Sequence, residues 1–164
     1  MRRLLVAPLL ALGLAMSALV AWNAPAVAAD APNPCKVVKT SEIAKAFGGA
    51  DVSKGKKGLT TPVSVQCKYL VGATADLPAG NVIISVMYVG AKPAYDGLKR
   101  TAIYVPTTGL ANSIYSGTLS VVNTLRGSSL LGVQGLFLRT TPPITNQDVE
   151  SQLVDLSKVG LKRL

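Results

Sequence analysis

Residues 34–69 read PCKVVKTSEIAKAFGGADVSKGKKGLTTPVSVQCKY, a stretch that holds both cysteines of the chain, Cys35 and Cys67. Its last third alternates: Val63, Val65, Cys67, Tyr69 and Val71 face one way, and Ser64, Gln66 and Lys68 the other, the period of a strand with one apolar side. Cys67 therefore sits on the apolar side. Upstream, Ile43, Ala44 and Phe47 share one face of a helix of about two turns. Thr40 or Ser41 supplies a cap, Glu42 falls in the first turn, and Gly48-Gly49 forms the stop. Such a short helix needs an anchor. A Cys35–Cys67 bridge would pin it to the core side of the sheet. The other reading of the cysteines, as free thiols that react or bind metal, lacks the help of histidine, of which the chain has 0.

Working outward, the first 29 residues have the composition of a secretory signal peptide. Arg2 and Arg3 are followed by no charge until Asp30, and Leu4 to Trp22 is rich in Leu, Ala and Val. Pro25 then precedes Ala26-Val27-Ala28-Ala29, where small residues at −3 and −1 permit cleavage before Ala29 or Asp30. An uncleaved anchor is the competing reading, because the apolar run is long enough to span a bilayer of roughly 30 Å. Cys35 follows Asn33-Pro34, which is not a lipidation site, and Arg2-Arg3 lacks the context of twin-arginine export. An exported chain with two cysteines favours a disulfide. Removal of residues 1–29 leaves 15 basic residues against 8 acidic ones, a net charge of +7. Residues 30–164 are expected to form a single domain.

In that domain, 30–34 reads as an extended leader and 50–62 as a Gly- and Lys-rich loop. Val82 to Val89 (VIISVMYV) is apolar on both faces except at Ser85, which predicts a strand covered on two sides. Pro93 to Arg100 suggests a short helix with Tyr95 and Leu98 inward, and Thr101 to Val105 a short edge strand. Ile114 to Leu125 predicts one or two strands and Ser129 to Thr140 another, joined by a hairpin at Arg126-Gly127-Ser128. Gly132 and Gly135 suggest a bulge or a close backbone approach. Thr141-Pro142-Pro143 stops the sheet. Thr145 and Asp148 resemble a capping box ahead of a final helix carrying Val149, Leu153, Leu156, Gly160 and Leu164 at helical spacing. The expected fold is α+β: a mostly antiparallel sheet, a disulfide-tethered short N-terminal helix and a long C-terminal helix.

Pro34-Cys35, the helix ending at Phe47-Gly48, and Cys67-Lys68-Tyr69 on a strand together resemble a family of actinobacterial exported proteins and lipoproteins that share a domain of unknown function. Leu161-Lys162-Arg163-Leu164 resembles the basic-aliphatic end of that family. The resemblance implies an envelope or extracellular setting. It implies no activity and transfers no catalytic residue.

Chemistry is mostly excluded by composition. Without histidine there is no Ser-His-Asp or Cys-His catalysis and no imidazole zinc site. Ser53-Lys54-Gly55-Lys56 matches Ser-x-x-Lys, but that motif requires a helix where Gly55 and Gly58 mark irregular chain. Gly127 to Gly135 contains no phosphate-loop lysine. No catalytic residue, metal ligand or cofactor is assigned. Lys54, Lys56 and Lys57 form a candidate loop for an anionic partner, against the plainer reading of a solvated loop. The expected function is an exported, non-enzymatic binding or interaction protein, secreted or of the cell envelope. Its partner would be a protein or an anionic envelope component, with no nucleic acid, and with a membrane only if the signal segment is kept. The alternatives are a carrier of a small apolar ligand or lipid, and a histidine-independent hydrolase.

Overall fold

The computed structural model describes residues 32–139, 145–146 and 148–164. The signal segment 1–29 and the Thr141-Pro142-Pro143 stop lie outside them. The chain is α+β. Strands β1 (Lys56–Thr60), β2 (Ser64–Val71), β3 (Gly80–Met87), β4 (Val105–Pro106), β5 (Ser113–Ser116), β6 (Val121–Arg126) and β7 (Ser129–Leu136) form one antiparallel sheet in the order β1-β2-β3-β7-β6-β5-β4. Strands β8 (Leu138–Arg139) and β9 (Thr145–Asn146) pair separately. The helices are α1 (Pro34–Val37), α2 (Thr40–Ala46), α3 (Ala91–Leu98) and α4 (Glu150–Leu161).

One face of the sheet carries the main core. Val65, Cys67, Tyr69, Val82, Ile84, Val86, Val122, Leu131 and Val133 meet Val37, Val38, Ile43, Phe47, Leu153 and Leu156 from the helices. On β2, β3 and β6 these residues alternate with half-buried or exposed ones, as period-2 burial requires, whereas the central β7 is buried on both faces from Leu130 to Val133. The other face is covered only in part. There α3 lies over β6 and β7, and Ala91 and Tyr95 pack on Ile114 and Leu130. The cover expected on both sides of Val82 to Val89 is complete on one side only. Val82, Ile84 and Val86 are buried, whereas Ile83, Ser85 and Met87 on the other face are half-buried and Val89 is exposed, because α3 lies over β6 and β7.

The Cys35–Cys67 disulfide is formed, with a Cα–Cα distance of 5.1 Å. Asn33 is extended, as expected of the leader, which gives way to helix one residue earlier than its expected end. Chain from Pro34 turns into α1, where proline suits the first helical position and Asn33 Oδ1 accepts from the Cys35 N–H at 3.0 Å. The Tyr69 hydroxyl donates to the Val38 carbonyl at 2.8 Å, with the Cys35 carbonyl 3.3 Å away. The residue two beyond Cys67 thus ties down the same turn as the disulfide. In α2 neither Thr40 nor Ser41 caps: Lys39 occupies the cap position, and Glu42 Oε2 accepts its N–H at 2.7 Å.

Residues 50–62 are not a loop throughout. Val52 bridges to Val71, and β1 pairs with β2 through Lys56↔Lys68 and Lys57↔Cys67. No periodicity marks β1. It forms because the open edge of β2 offers backbone partners that would otherwise be left to water. The edge strand expected at Thr101–Val105 is reduced to the two residues of β4, after turns in which Thr101 Oγ1 donates to the Leu98 carbonyl at 2.7 Å. Helix α3 starts at Ala91, two residues before Pro93. Register across β3 and β7 runs unbroken from Asn81↔Leu136 to Met87↔Leu130, so Gly132 and Gly135 mark close approach and no bulge. The chain leaves the sheet at Phe137, earlier than the expected Thr140. Thr145 lies in β9, and α4 starts later, with Asp148 Oδ1 accepting the Glu150 N–H at 3.1 Å.

A long-range ion pair closes the helical layer. Arg163, just past α4, donates to both Glu42 oxygens, at 2.7 and 2.5 Å, and to the Val37 carbonyl at 2.9 Å. The Arg163 hydrogen bond is the main cause that holds the Glu42 carboxyl below its ordinary value of 4.5, against burial, which raises it. A carboxyl lowered in the folded state stabilises the fold above its unfolded pKa, and this is lost as pH falls through the folded value. Urea unfolding at neutral pH and at about pH 3 should therefore show a smaller acid-induced loss for Glu42→Gln than for the parent chain. Equal losses would refute the assignment.

Candidate functional site

The strongest charge feature is the β1–β2 edge. Lys54 precedes β1, Lys56 and Lys57 lie on it, and Lys68 stands directly opposite Lys56 on β2; all four are exposed. Directly opposed residues of an antiparallel pair have Cβ atoms about 5 Å apart, so Lys56 and Lys68 repel unless an anion lies between them. The ion pairs among the described residues are Lys92–Asp96, Lys158–Asp155 and Arg163–Glu42, and none of them involves this edge. Of the three lysines expected on a loop, Lys56 and Lys57 lie on a sheet edge with Lys54 just before it. Lys56 is joined by a fourth, Lys68, while Lys57, opposite Cys67, falls on the other face. Alternation along β2 places Lys68 on the outward face. Only the pairing with β1 shows that it meets Lys56.

The disulfide is a structural clasp. Gly55 lets the chain cross it closely: a Cβ there would lie 2.7 Å from Cys67 Sγ and 2.7 Å from the Tyr69 ring. Ser53 serves the backbone as well. Its Oγ accepts from the Leu70 N–H at 2.9 Å, on extended chain that cannot present Lys56 as a Ser-x-x-Lys helix would.

Opposite in character is a groove of about 480 Å³ at the start of α4, lined by Asp148, Glu150, Ser151, Gln152, Asp155 and Lys158, among others. The Tyr115 hydroxyl donates to Asp148 Oδ1 at 3.4 Å, and its pKa is pushed up to about 12, first by burial and then by the charges of Asp148 and Glu150. At neutral pH the phenol keeps its proton and acts as a donor. Ser151 Oγ donates to Gln152 Oε1 at 2.9 Å, an amide that cannot take its proton as a base. Lys158 is paired with Asp155 at 3.1 Å. Among the described residues no group of three or more His, Cys, Asp or Glu is placed to hold a metal.

A smaller groove, about 280 Å³, lies beside β3 on the face that α3 half-covers. Among the described residues no helix is long and apolar enough to cross a membrane. No protein-family model, curated protein or solved structure matches this chain.

Proposed function

We propose that this chain is an exported, non-enzymatic interaction protein of the cell envelope or extracellular space that engages an anionic envelope polymer through the β1–β2 edge. The observation that carries the reading is the set of Lys54, Lys56, Lys57 and Lys68 on one exposed edge, outside the ion pairs of the described residues. The same lysines repel the β1 edge of a second copy, which suppresses homotypic strand pairing and leaves the edge to a partner of opposite charge. Export is supported by the disulfide, which persists in oxidising compartments. The signal-like first 29 residues and the likeness of the cysteine unit to exported actinobacterial proteins point the same way. The hydrolase alternative has less support, because the Ser151 hydroxyl is turned to an amide.

Dextran sulfate, with neutral dextran as control, tests the proposal. Binding should be specific to the sulfated polymer and weaken as salt screens it. Changing Lys54, Lys56, Lys57 and Lys68 together to Gln should reduce affinity about tenfold or more. Changing the exposed Lys92, Lys99, Lys158 and Lys162 to Gln, an equal loss of charge, should reduce it far less. Equal effects of the two quadruple variants would show that net charge alone is read, and would overturn the assigned edge. Undiminished binding of dextran sulfate by the edge variant would do the same.

A further inference from the structure

The groove beside α3 is floored by a single transverse row of the sheet. Gln66 on β2 pairs with Ser85 on β3, Ser85 with Gly132 on β7, and Gly132 with Asn123 on β6. One step away, the row of Ser64, Met87, Leu130 and Leu125 is mostly apolar and runs towards α3. The polar row thus interrupts a face that is otherwise suited to a helix. Ser85 is also the sole polar residue of the run VIISVMYV.

Gly132 shows how the floor is built. A Cβ at this position would collide with Ser85 Oγ and come within 3.2 Å of Asn123 Oδ1. Its missing side chain is the space into which the neighbouring hydroxyl and amide converge. Glycine in a strand interior costs about 0.5–1 kcal/mol relative to alanine, so the geometry is gained against a local loss. Among the described residues no hydrogen bond engages the Gln66 amide, although Gln66 is half-buried. Ala94 and Leu98 of α3, with Met87, wall the groove.

The lining selects by chemistry. It includes no charged residue, so an ion finds no counter-charge. An apolar ligand would strand the Gln66 amide, at about 1–3 kcal/mol, whereas the Ser85 hydroxyl already donates to the Gly132 carbonyl at 3.4 Å and Ser64 Oγ lies 3.0 Å from Thr61 Oγ1. Side-chain amides and hydroxyls both donate and accept. Gln66 and Ser85 stand on adjacent strands about 4.8 Å apart, and Asn123, two strands from Ser85, approaches it over Gly132. A ring bearing several hydroxyls matches that spacing and lays its C–H face on Leu98 and Met87. A peptide main chain would look for ladder groups, but those of β3 and β7 are spent on each other. We infer that this groove binds an uncharged saccharide of one or two rings, at a site separate from the lysine edge.

The test is titration of the purified chain with N,N′-diacetylchitobiose and with maltose, followed by NMR at the side-chain amides of Gln66 and Asn123, with tetra-alanine as the peptide comparison. Saturable shifts with a disaccharide, and none with the peptide, are expected. Gln66→Leu keeps a strand-compatible side chain and should weaken binding about tenfold, as removal of one polar contact requires. Ala94→Phe should obstruct the groove from the helix side; if it fails to fold, Gln66→Leu decides alone. Saturation by tetra-alanine, no saturable shift with either sugar, or unchanged affinity in Gln66→Leu would overturn the inference. The edge variant with four Gln substitutions should keep saccharide binding, so this site and the polyanion edge fail or stand separately.

Discussion

Replacing Phe137 by alanine is expected to destabilise the chain by about 3–5 kcal/mol, the range for removing a fully buried aromatic ring. That corresponds to a fall in Tm on the order of 10 °C or more for a domain of this size. Phe137 is completely buried and is the point at which the chain leaves β7. Its ring lies 4.9 Å from that of Phe47, at the end of α2. Two glycines make room for it. A Cβ at Gly80 would strike the ring, and one at Gly135 would lie 3.1 Å from it and 3.3 Å from Leu153 of α4. Phe137 thus packs the end of the central strand against the helical layer, and the two glycines beside it have no side chains to fill the space its ring would leave. Phe137→Leu should recover more than half of the loss. Thermal and urea unfolding of the three chains measure this, and a cost below about 1 kcal/mol for Phe137→Ala would refute the keystone role.

Removing the disulfide is the second large effect. The bridge joins residues 32 apart, and the loop-entropy relation for that closure gives about 3–4 kcal/mol. A Cys35→Ala, Cys67→Ala chain should lose that much, and its Tm should drop by about 10 °C. The loss should centre on α1. This single turn is too short to persist alone, and its remaining ties are the buried Val37 and Val38, the Tyr69 hydroxyl and the Arg163 contact to the Val37 carbonyl. Amide exchange should accordingly rise first at residues 35–38, while β3 and β7 stay protected. Reductant should move the parent chain towards the double variant and leave the variant unchanged. Parent and double variant with equal Tm in oxidising buffer would refute the clasp.

Several parts of the fold were legible because they obey a local rule. The alternation around Cys67 predicted the buried face of β2. The spacing of Leu153, Leu156 and Gly160 predicted the inward face of α4, and Gly127 marked the β6–β7 hairpin. The lysine site was legible only in part. Lys54, Lys56 and Lys57 stood out as a cluster, but a loop was expected where β1 forms, since KKGLT has no apolar alternation. Lys68 was visible only as an outward residue of β2. The groove beside α3 was not legible at all, because Gln66, Ser85, Gly132 and Asn123 meet only through register.

By itself, the amino-acid sequence determined the α+β class, the absence of imidazole chemistry, the surplus of positive charge and the apolar faces of β2 and α4. These depend on composition or on neighbours within a few residues, where side-chain period and cap chemistry act directly. The tertiary structure alone decided that β7 lies between β3 and β6, that an irregular basic stretch becomes an edge strand, and that Arg163 reaches Glu42, 121 residues away. Strand order and long-range pairing are selected by the free energy of closing the whole core, which no local window contains.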